Sequence, residues 1–206
     1  MSASTLLPAR RGRQRSEVAD QAILAATLEL LAAEGYGGLT MAAVIALAGV
    51  SSATLYRRWP TKHELVAAAL ASLQAGIVDA DTGTLEGDVT AVVNSVADAL
   101  TTNNNDFAEA VAVELRRDPE LRAAVNDKLL RPRVELFDSV FQRARRRGEL
   151  GGGLSTIVGY SFVSGPLHHR VYVLGQPITP AFRRATVTGA LAALRALAPP
   201  PASTTR

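Results

Sequence analysis

The stretch GVSSATLYRRWP, residues 49–60, combines a glycine, short hydroxyl side chains, an aromatic residue and two arginines. Gly49 permits the left-handed turn that ends one helix. Ser51 or Ser52 is suited to cap the next helix, which we expect to continue through Trp59 until the following proline stops it. Two short helices joined by a tight glycine turn are typical of a helix-turn-helix, so the stretch predicts such a module.

The flanking sequence supplies the other helices that this module needs. Residues 16–34 contain neither glycine nor proline, and their apolar side chains recur at helical spacing, so we predict an amphipathic first helix. Thr40 is suited to cap the second helix. Thr61 and Glu64 form a capping box that predicts the start of a fourth helix.

The third helix carries side chains suited to DNA. Short hydroxyl donors near its start can reach base edges in the major groove, and an alanine there can touch a thymine methyl. Tyrosine and arginine one turn later can reach phosphates, and a lysine at the start of the next helix can bind phosphate together with free backbone N–H groups. The residues that we predict to contact DNA on these grounds are Ser51, Ser52, Ala53, Thr54, Tyr56, Arg57, Arg58 and Lys62.

Residues 1–15 form a basic arm with four arginines and no acidic residue. Such a run, taken alone, is most often a solvated tail, but ahead of a helix-turn-helix it is suited to seek phosphate. We therefore expect a flexible arm in which Arg10, Arg11 and Arg13 contact DNA.

Residues 35–66, GYGGLTMAAVIALAGVSSATLYRRWPTKHELV, resemble the TetR family of bacterial transcriptional regulators in length, order and turn positions. The resemblance is strong over about the first third of the chain. It implies that Thr40 contacts phosphate, that residues 51–54 face the major groove, and that Tyr56 and Lys62 clamp the DNA backbone.

The rest of the chain predicts a second helical domain. Residues 64–206 hold acidic and basic residues in near balance, and glycine-, aspartate- and threonine-rich breaks divide them into helices. Asp118 is suited to cap a long helix that we expect to kink at Pro132 and to end in a solvated turn at residues 143–147. The predicted fold is all-α, with an arm at residues 1–15, a DNA-binding domain at 16–63 and an effector-binding and dimerisation domain at 64–206.

The last two helices are unusually rich in small and apolar residues. Gly159, Ser161, Ser164 and Gly165 permit close helix approach, so a partner subunit is a reasonable occupant of this surface. The TetR resemblance, around GPLHHRVYVLGQPI, implies a four-helix bundle across a two-fold dimer. We expect Gly165 and Pro166 to loosen the first of these two helices locally.

Helical facing and the family layout suggest side chains for a ligand pocket. Core packing is the plainer interpretation of Phe137 and Phe141, which lie four residues apart, and pocket lining is the alternative. An apolar pocket with few charges predicts a hydrophobic or aromatic effector. The candidate ligand-binding residues are Phe107, Val111, Phe137, Phe141, His168 and Tyr172.

Several other classes of protein are disfavoured. His168 and His169 are adjacent, so on a helix they point about 100° apart and do not form a metal pair; we expect one at the interface and the other at the pocket or surface. No carboxylate pair or nucleophile lies nearby, and we expect neither a cofactor nor enzymatic activity. The chain has no cysteine, no apolar run long enough to span a membrane and no secretory signal, so we expect a cytoplasmic protein.

Two hypotheses follow. In the first, a homodimer binds a pseudo-palindromic double-stranded DNA operator, with its third helices in successive major grooves about 34 to 36 Å apart, and a small-molecule effector releases it. In the second, the chain is a helical small-molecule carrier or enzyme with an incidental basic arm. Only the first predicts steeply salt-dependent DNA binding that is lost without Tyr56 and Lys62.

Overall fold

The computed structural model describes the backbone of residues 9–73, 79–102 and 106–200, with the side chains of all of these except 9–15, 102, 106–110 and 112. The described residues form helices and no β-strand. The α-helices are α1 (Ala9–Gly38), α2 (Met41–Ala48), α3 (Ser52–Tyr56), α4 (Lys62–Ser72), α5 (Leu85–Thr102), α6 (Asp106–Arg117), α7 (Pro119–Val125), α8 (Arg131–Arg146), α9 (Thr156–His168) and α10 (Pro180–Leu197). Two π-helical segments, Asn126–Leu130 and His169–Val173, precede α8 and follow α9.

The chain divides into two compact units. The first contains the residues up to Ser72 together with Ala110–Val125, and the second contains the remaining residues. The predicted domain boundary between residues 63 and 64 lies in the first turn of α4, and α4 belongs to the first unit, where it packs against α1 and α7. The functional division into arm, DNA-binding domain and effector domain stays a prediction.

The first unit is organised around α1. This helix packs against α2 and α4, and Ile23 and Leu31 of α1 and Leu55 of α3 are among the fully buried side chains of the unit. The helix begins at Ala9, within the predicted flexible arm, and continues through Gly12 to the predicted start. Gly35 breaks the helical backbone with a φ of 68°, at the GYGG stretch that predicted the helix end.

The second unit packs α5, α8, α9 and α10 around one core. Helix α5 contacts the other three, and α9 contacts α8 and α10. Valines of α5, Phe137 and Phe141 of α8, Val163 of α9 and Leu194 of α10 are buried there. Gly159 brings α9 close to α8, since a Cβ at this position would overlap the Phe141 ring.

The predicted long helix from Asp118 is divided. Asp118 caps it as expected, since its carboxylate accepts hydrogen bonds from the N–H groups of Glu120 and Leu121 at 2.9 and 3.0 Å. The expected kink at Pro132 is instead a π-helical segment, Asn126–Leu130, followed by α8 with Pro132 in its first turn. Proline has no N–H, so the α-helical hydrogen-bond ladder cannot continue unbroken through it.

The predicted solvated turn at residues 143–147 is wrong. Arg143 donates to Asp79 at 2.7 Å and to the Ala80 carbonyl at 2.6 Å, and its side chain is only 12% exposed. Arg147 pairs with the fully buried Asp88 at 3.0 Å. Burial opposes ionisation of Asp88, but hydrogen bonds from Thr82 and Arg147 outweigh it and hold the pKa of Asp88 below its usual value. These arginines therefore connect the end of α8 to the chain before and within α5.

We expected the helix to loosen at Gly165 and Pro166, but it widens further along the chain. Helix α9 continues through Pro166 to His168, and the wider π-helical segment begins at His169. There the Leu174 N–H donates to the His169 carbonyl at 3.1 Å, a spacing of five residues.

Candidate DNA-binding surface and effector site

Local hydrogen bonds set the helix-turn-helix. The Ala43 N–H donates to the Thr40 hydroxyl at 3.1 Å, which caps α2 as predicted. Gly49 ends α2 in the left-handed region with a φ of 64°. Ser51 caps α3, because its hydroxyl accepts from the Thr54 N–H at 3.2 Å. The choice that the sequence left open between Ser51 and Ser52 is therefore decided in favour of Ser51.

Helix α3 is short and has distinct inner and outer faces. It ends at Tyr56 rather than Trp59, and its Leu55 side chain is fully buried. Ser52 and Ala53 are exposed, and the Tyr56 side chain is 48% exposed on the same helix. The outer face thus carries small polar and aromatic groups, and the inner leucine holds the helix against the unit.

Arg58 differs from the other candidate DNA contacts in this region. Its guanidinium donates to the Ser16 carbonyl at 3.1 Å and to the Ser16 hydroxyl, and it forms an ion pair with Asp20. Arg57, in contrast, is exposed. Arg58 therefore ties the end of α3 to α1.

Lys62 also contacts its own chain. Its ammonium donates to the Tyr36 carbonyl and lies 4.2 Å from the centroid of the Tyr36 ring. Burial lowers the pKa of Lys62, and the carboxylates of Glu114 and Asp118 oppose this shift. The lysine at the start of α4 is therefore half-buried beside the turn that ends α1.

A cluster that the sequence analysis missed joins α4 to the start of α7. His63 Nε2 lies 2.9 Å from an Asp118 carboxylate oxygen, and Nδ1 lies 3.5 Å from Glu120. The rings of His63 and Tyr36 stack at 6.3 Å. Burial, with Asp118 and other carboxylates, raises the pKa of Tyr36 to about 12. These residues are far apart in sequence, and no local pattern links them.

The predicted arm contacts fall largely outside what the structure describes. The backbones of Arg10, Arg11 and Arg13 belong to the first turns of α1, and their side chains lie outside the described residues. Their contact with DNA stays a prediction.

The predicted effector residues do not all fall in one unit. Phe137 and Phe141 are fully buried in the second unit, with ring centroids 4.8 Å apart. Val111 is buried in the first unit, and the side chain of Phe107 lies outside the described residues. The two phenylalanines therefore have the core positions that the plainer interpretation expected, and their role in binding a ligand stays a prediction.

His168 and Tyr172 lie together where α9 widens into the π-helical segment. Their ring centroids are 5.7 Å apart, and His168 Nδ1 lies 2.8 Å from the Ser164 carbonyl. A carbonyl only accepts, so Nδ1 carries the proton of this hydrogen bond. Burial lowers the pKa of His168, while His169 is exposed. No group of three or more potential metal-ligating side chains occurs in the described part of the chain.

The second unit also buries a cation that the sequence analysis missed. Arg133 of α8 is only 8% exposed, and its Nη2 has no hydrogen-bond partner in the structure. The buried hydroxyl of Tyr160 likewise has none, and the Tyr160 ring packs 5.6 Å from that of Phe137. Burial lowers the pKa of Arg133, and the nearby Tyr160 and Tyr172 oppose the shift. A positive charge is therefore buried near the candidate effector residues, where the sequence predicted an apolar pocket with few charges.

Comparison with known proteins agrees with this arrangement. Residues 23–69 match the family model described as bacterial regulatory proteins, tetR family, and residues 79–190 match the tetracyclin repressor-like C-terminal domain. A DNA-binding transcriptional repressor TetR of Mycobacteroides abscessus is 35% identical over 174 residues, which cover 82% of this chain and 89% of that protein. The chain belongs to the TetR family. It is thus a DNA-binding transcriptional regulator, as the helix-turn-helix predicted.

Solved TetR-family structures share the fold. One TetR family transcription regulator is 26% identical, with a TM-score of 0.64, and the match covers 84% of this chain and 97% of that one. A FadR structure from Bacillus subtilis, in complex with stearoyl-CoA, has a TM-score of 0.66 at 17% identity and covers 83% of this chain and 97% of its own. The predicted all-α TetR fold is confirmed. Among the described residues, no helix has the length and apolarity needed to span a membrane.

Proposed function

We propose that this TetR-family regulator is a homodimeric repressor that binds a pseudo-palindromic operator and leaves it when a small molecule binds the second unit. The observation that carries the DNA-binding part is the outer face of α3. Ser52, Ala53 and Tyr56 are exposed on it, while the buried Leu55 and the Ser51 cap hold the helix in place. This face is suited to enter the major groove.

The proposed contacts are shared between bases and phosphates. Side chains near the start of α3 face base edges, and Thr40, Tyr56, Arg57 and Lys62 bind the DNA backbone. We leave Arg58 out of this set because α1 engages its guanidinium. Because the proposed partner is operator DNA, the proposed location is the cytoplasm of a bacterial cell.

The proposed dimer interface is the outer face of α9 and α10. On α9, Ile157, Val158 and Phe162 are 41, 43 and 39% exposed. On α10, exposed small residues recur at helical spacing: Ala185, Gly189, Ala192 and Ala196. Large apolar side chains on one helix beside small ones on the next allow two copies to pack closely about a two-fold axis.

Release by an effector requires coupling between the two units. Such coupling is typically worth about 1 to 3 kcal/mol, or roughly 5- to 150-fold in affinity, which is enough to switch a promoter. The structural neighbour bound to stearoyl-CoA supports ligand binding by this fold. Its ligand belongs to that protein and does not identify the effector here.

The first experiment is a footprint of the purified protein on the DNA flanking its own gene, over a salt series. The wild type is expected to protect a roughly palindromic site, with affinity falling steeply as salt rises. The Tyr56→Ala, Lys62→Ala double variant should lose this protection because it lacks two backbone contacts. Arg117→Ala, which removes an exposed arginine of α6, is the control for simple loss of charge.

A protected site that is lost only in the double variant supports the proposal. Equal protection by the double variant contradicts the assigned contacts. Absence of protection at low salt contradicts operator binding near this gene and favours the carrier or enzyme hypothesis, for which ligand binding by the second unit is the direct test.

A further inference from the structure

The buried guanidinium of Arg133 has no counter-ion among the residues that the structure describes. Its side chain is on the inner face of α8 with 8% exposure, and Nη2 has no hydrogen-bond partner. Burying a charge without a partner is strongly unfavourable, so such groups in proteins are usually paired or bind a ligand. Arg143 of the same helix, whose side chain is 12% exposed, pairs with the carboxylate of Asp79.

The surroundings of Arg133 supply a second unsatisfied donor. The Tyr160 hydroxyl is buried without a partner, and Tyr160 and Arg133 are close enough to affect each other's ionisation. A guanidinium donates and has no acceptor, and a phenol O–H also donates. The phenol oxygen can also accept an N–H of Arg133, but it is neutral, so the guanidinium still lacks a counter-ion such as an oxyanion.

The neighbouring histidine does not provide the missing negative charge. His168 has its Nδ1 proton on the Ser164 carbonyl, and both burial and the positive charge of Arg133 lower its pKa. An imidazole carries no negative charge near pH 7, so His168 leaves the charge of Arg133 uncompensated among the described residues. Two π-helical segments, which occur frequently at functional sites, lie next to Arg133 and His168 in the chain.

We propose that Arg133 and Tyr160 bind the carboxylate of an organic effector whose apolar body lies against the aromatic side chains around Phe137. The planar guanidinium matches a carboxylate with two parallel hydrogen bonds, and its single charge balances a monoanion better than a phosphate dianion. This inference rests on the ligand-responsive part of the proposed function and deepens it. It adds an anionic group to the hydrophobic or aromatic effector that the sequence suggested.

The test compares matched carboxylates and amides, which differ in charge but little in shape. We would titrate the full-length protein with 2-naphthoate and 2-naphthamide, and with octanoate and octanamide, by calorimetry. At least one carboxylate should bind tenfold or more tightly than its amide. Failure of both carboxylates to bind, or equal affinity within each pair, would overturn the proposal.

Variants then assign the binding to Arg133. Arg133→Met keeps the length of the side chain and removes its charge, so it should abolish the preference for the carboxylate. Arg131→Met is the matched control, since this arginine of the same helix has a 65% exposed side chain and pairs with Asp127 on the surface. Wild-type affinity for the carboxylate in Arg133→Met would contradict the proposal.

The stability of the variants separates a binding role from a structural one. Without ligand, Arg133→Met should melt at the same or a higher temperature than the wild type, because an unpaired charge leaves the interior. A large fall in melting temperature would mean that Arg133 has a structural partner and would overturn the proposal. Tyr160→Phe, which removes only a hydroxyl, should weaken carboxylate binding several-fold without changing amide binding; unchanged carboxylate binding would count against the shared site.

A DNA-release assay distinguishes this inference from the proposed function. Carboxylate binding through Arg133 without release of operator DNA supports the anion site and contradicts effector-driven release. Release of DNA by the neutral amides alone, with no effect of the carboxylates, supports the proposed function and overturns the anion site.

Discussion

The side chains in and around α3 have two different roles. Some hold the helix in place, and others are exposed on its outer face. Leu55 is fully buried, the Ser51 hydroxyl caps the backbone, and Arg58 pairs with Asp20 of α1. Ser52 and Tyr56 are exposed on the same short helix. Neighbouring residues of similar chemistry therefore differ in role, and paired substitutions can separate stability from DNA binding.

The two serines before and at the start of α3 provide such a pair. Ser51→Ala removes a capping acceptor, so we expect the free energy of unfolding to fall by about 1 kcal/mol. Ser52→Ala should leave stability within about 0.5 kcal/mol of the wild type, because Ser52 is exposed and its position is not the cap. Urea unfolding measures both values. Equal losses in the two variants would contradict the assignment of the cap.

Asp118 gives a pH dependence whose sign follows from its pKa. The hydrogen bond from the Leu121 N–H lowers the pKa of Asp118, burial opposes this shift, and the contact with His63 lowers the pKa further. A lowered pKa in the folded state stabilises the fold above the unfolded value of about 3.9, and this contribution is lost as the pH falls through the folded-state pKa. Asp118→Asn keeps a capping side chain but removes the charge.

We therefore expect the free energy of unfolding to fall less steeply below about pH 4 in Asp118→Asn than in the wild type. Urea unfolding across an acidic pH series is the measurement. The same acid dependence in both proteins would show that the Asp118 carboxylate does not contribute to it.

At the level of helices, the second unit depends on close approach between α8 and α9. Phe137 and Phe141 fill the core on the α8 side, and Gly159 leaves room for them on α9. Arg133 lies on α8 among the same buried positions. The packing that buries the aromatic rings therefore also buries the cation.

Two glycines of α9 test this packing. A methyl group at Gly159 would overlap the Phe141 ring, so Gly159→Ala is expected to lower the free energy of unfolding by about 1 to 3 kcal/mol. The space around Gly165 is open, and Gly165→Ala should preserve or slightly raise stability through its better helix propensity. Chemical denaturation at one protein concentration compares them. A stable Gly159→Ala variant would mean that the two helices separate at little cost.

At the scale of the whole molecule, the chain itself connects the proposed functions. Helix α7, whose capping residue Asp118 contacts His63 of α4, continues through the π-helical segment Asn126–Leu130 into α8, which carries Arg133. Helix α4 in turn begins just after α3. The chain therefore continues from α7, which contacts α4 through the pair of Asp118 and His63, into the helix that carries Arg133.

The proposed dimer is tested on the exposed face of α9. Phe162→Glu places a charge where two copies would bury an apolar side chain, so we expect a monomer in sedimentation experiments and at least tenfold weaker operator binding. Val18→Glu is the control, because Val18 is 63% exposed on α1 in the first unit. A dimer that persists in Phe162→Glu would place the interface elsewhere.

The parts of the fold that depend on neighbouring residues could be read from the sequence. Thr40, Gly49, Ser51 and Asp118 act within a few positions of themselves, so the caps and turns of the helix-turn-helix and the all-α class were predictable. The start of α1 and the end of α3 were misplaced, because local signals do not determine helix ends closely.

The sequence by itself determined that the chain is a helical regulator with a capped DNA-binding helix, since each cap joins atoms only a few residues apart. Tertiary structure alone decided which charges face inward: Arg58 pairs with Asp20, His63 with Asp118, and Arg133 remains buried with Nη2 unpartnered. Burial of an arginine depends on which helix faces pack around it, and that packing is a sum of contacts between segments far apart in the chain.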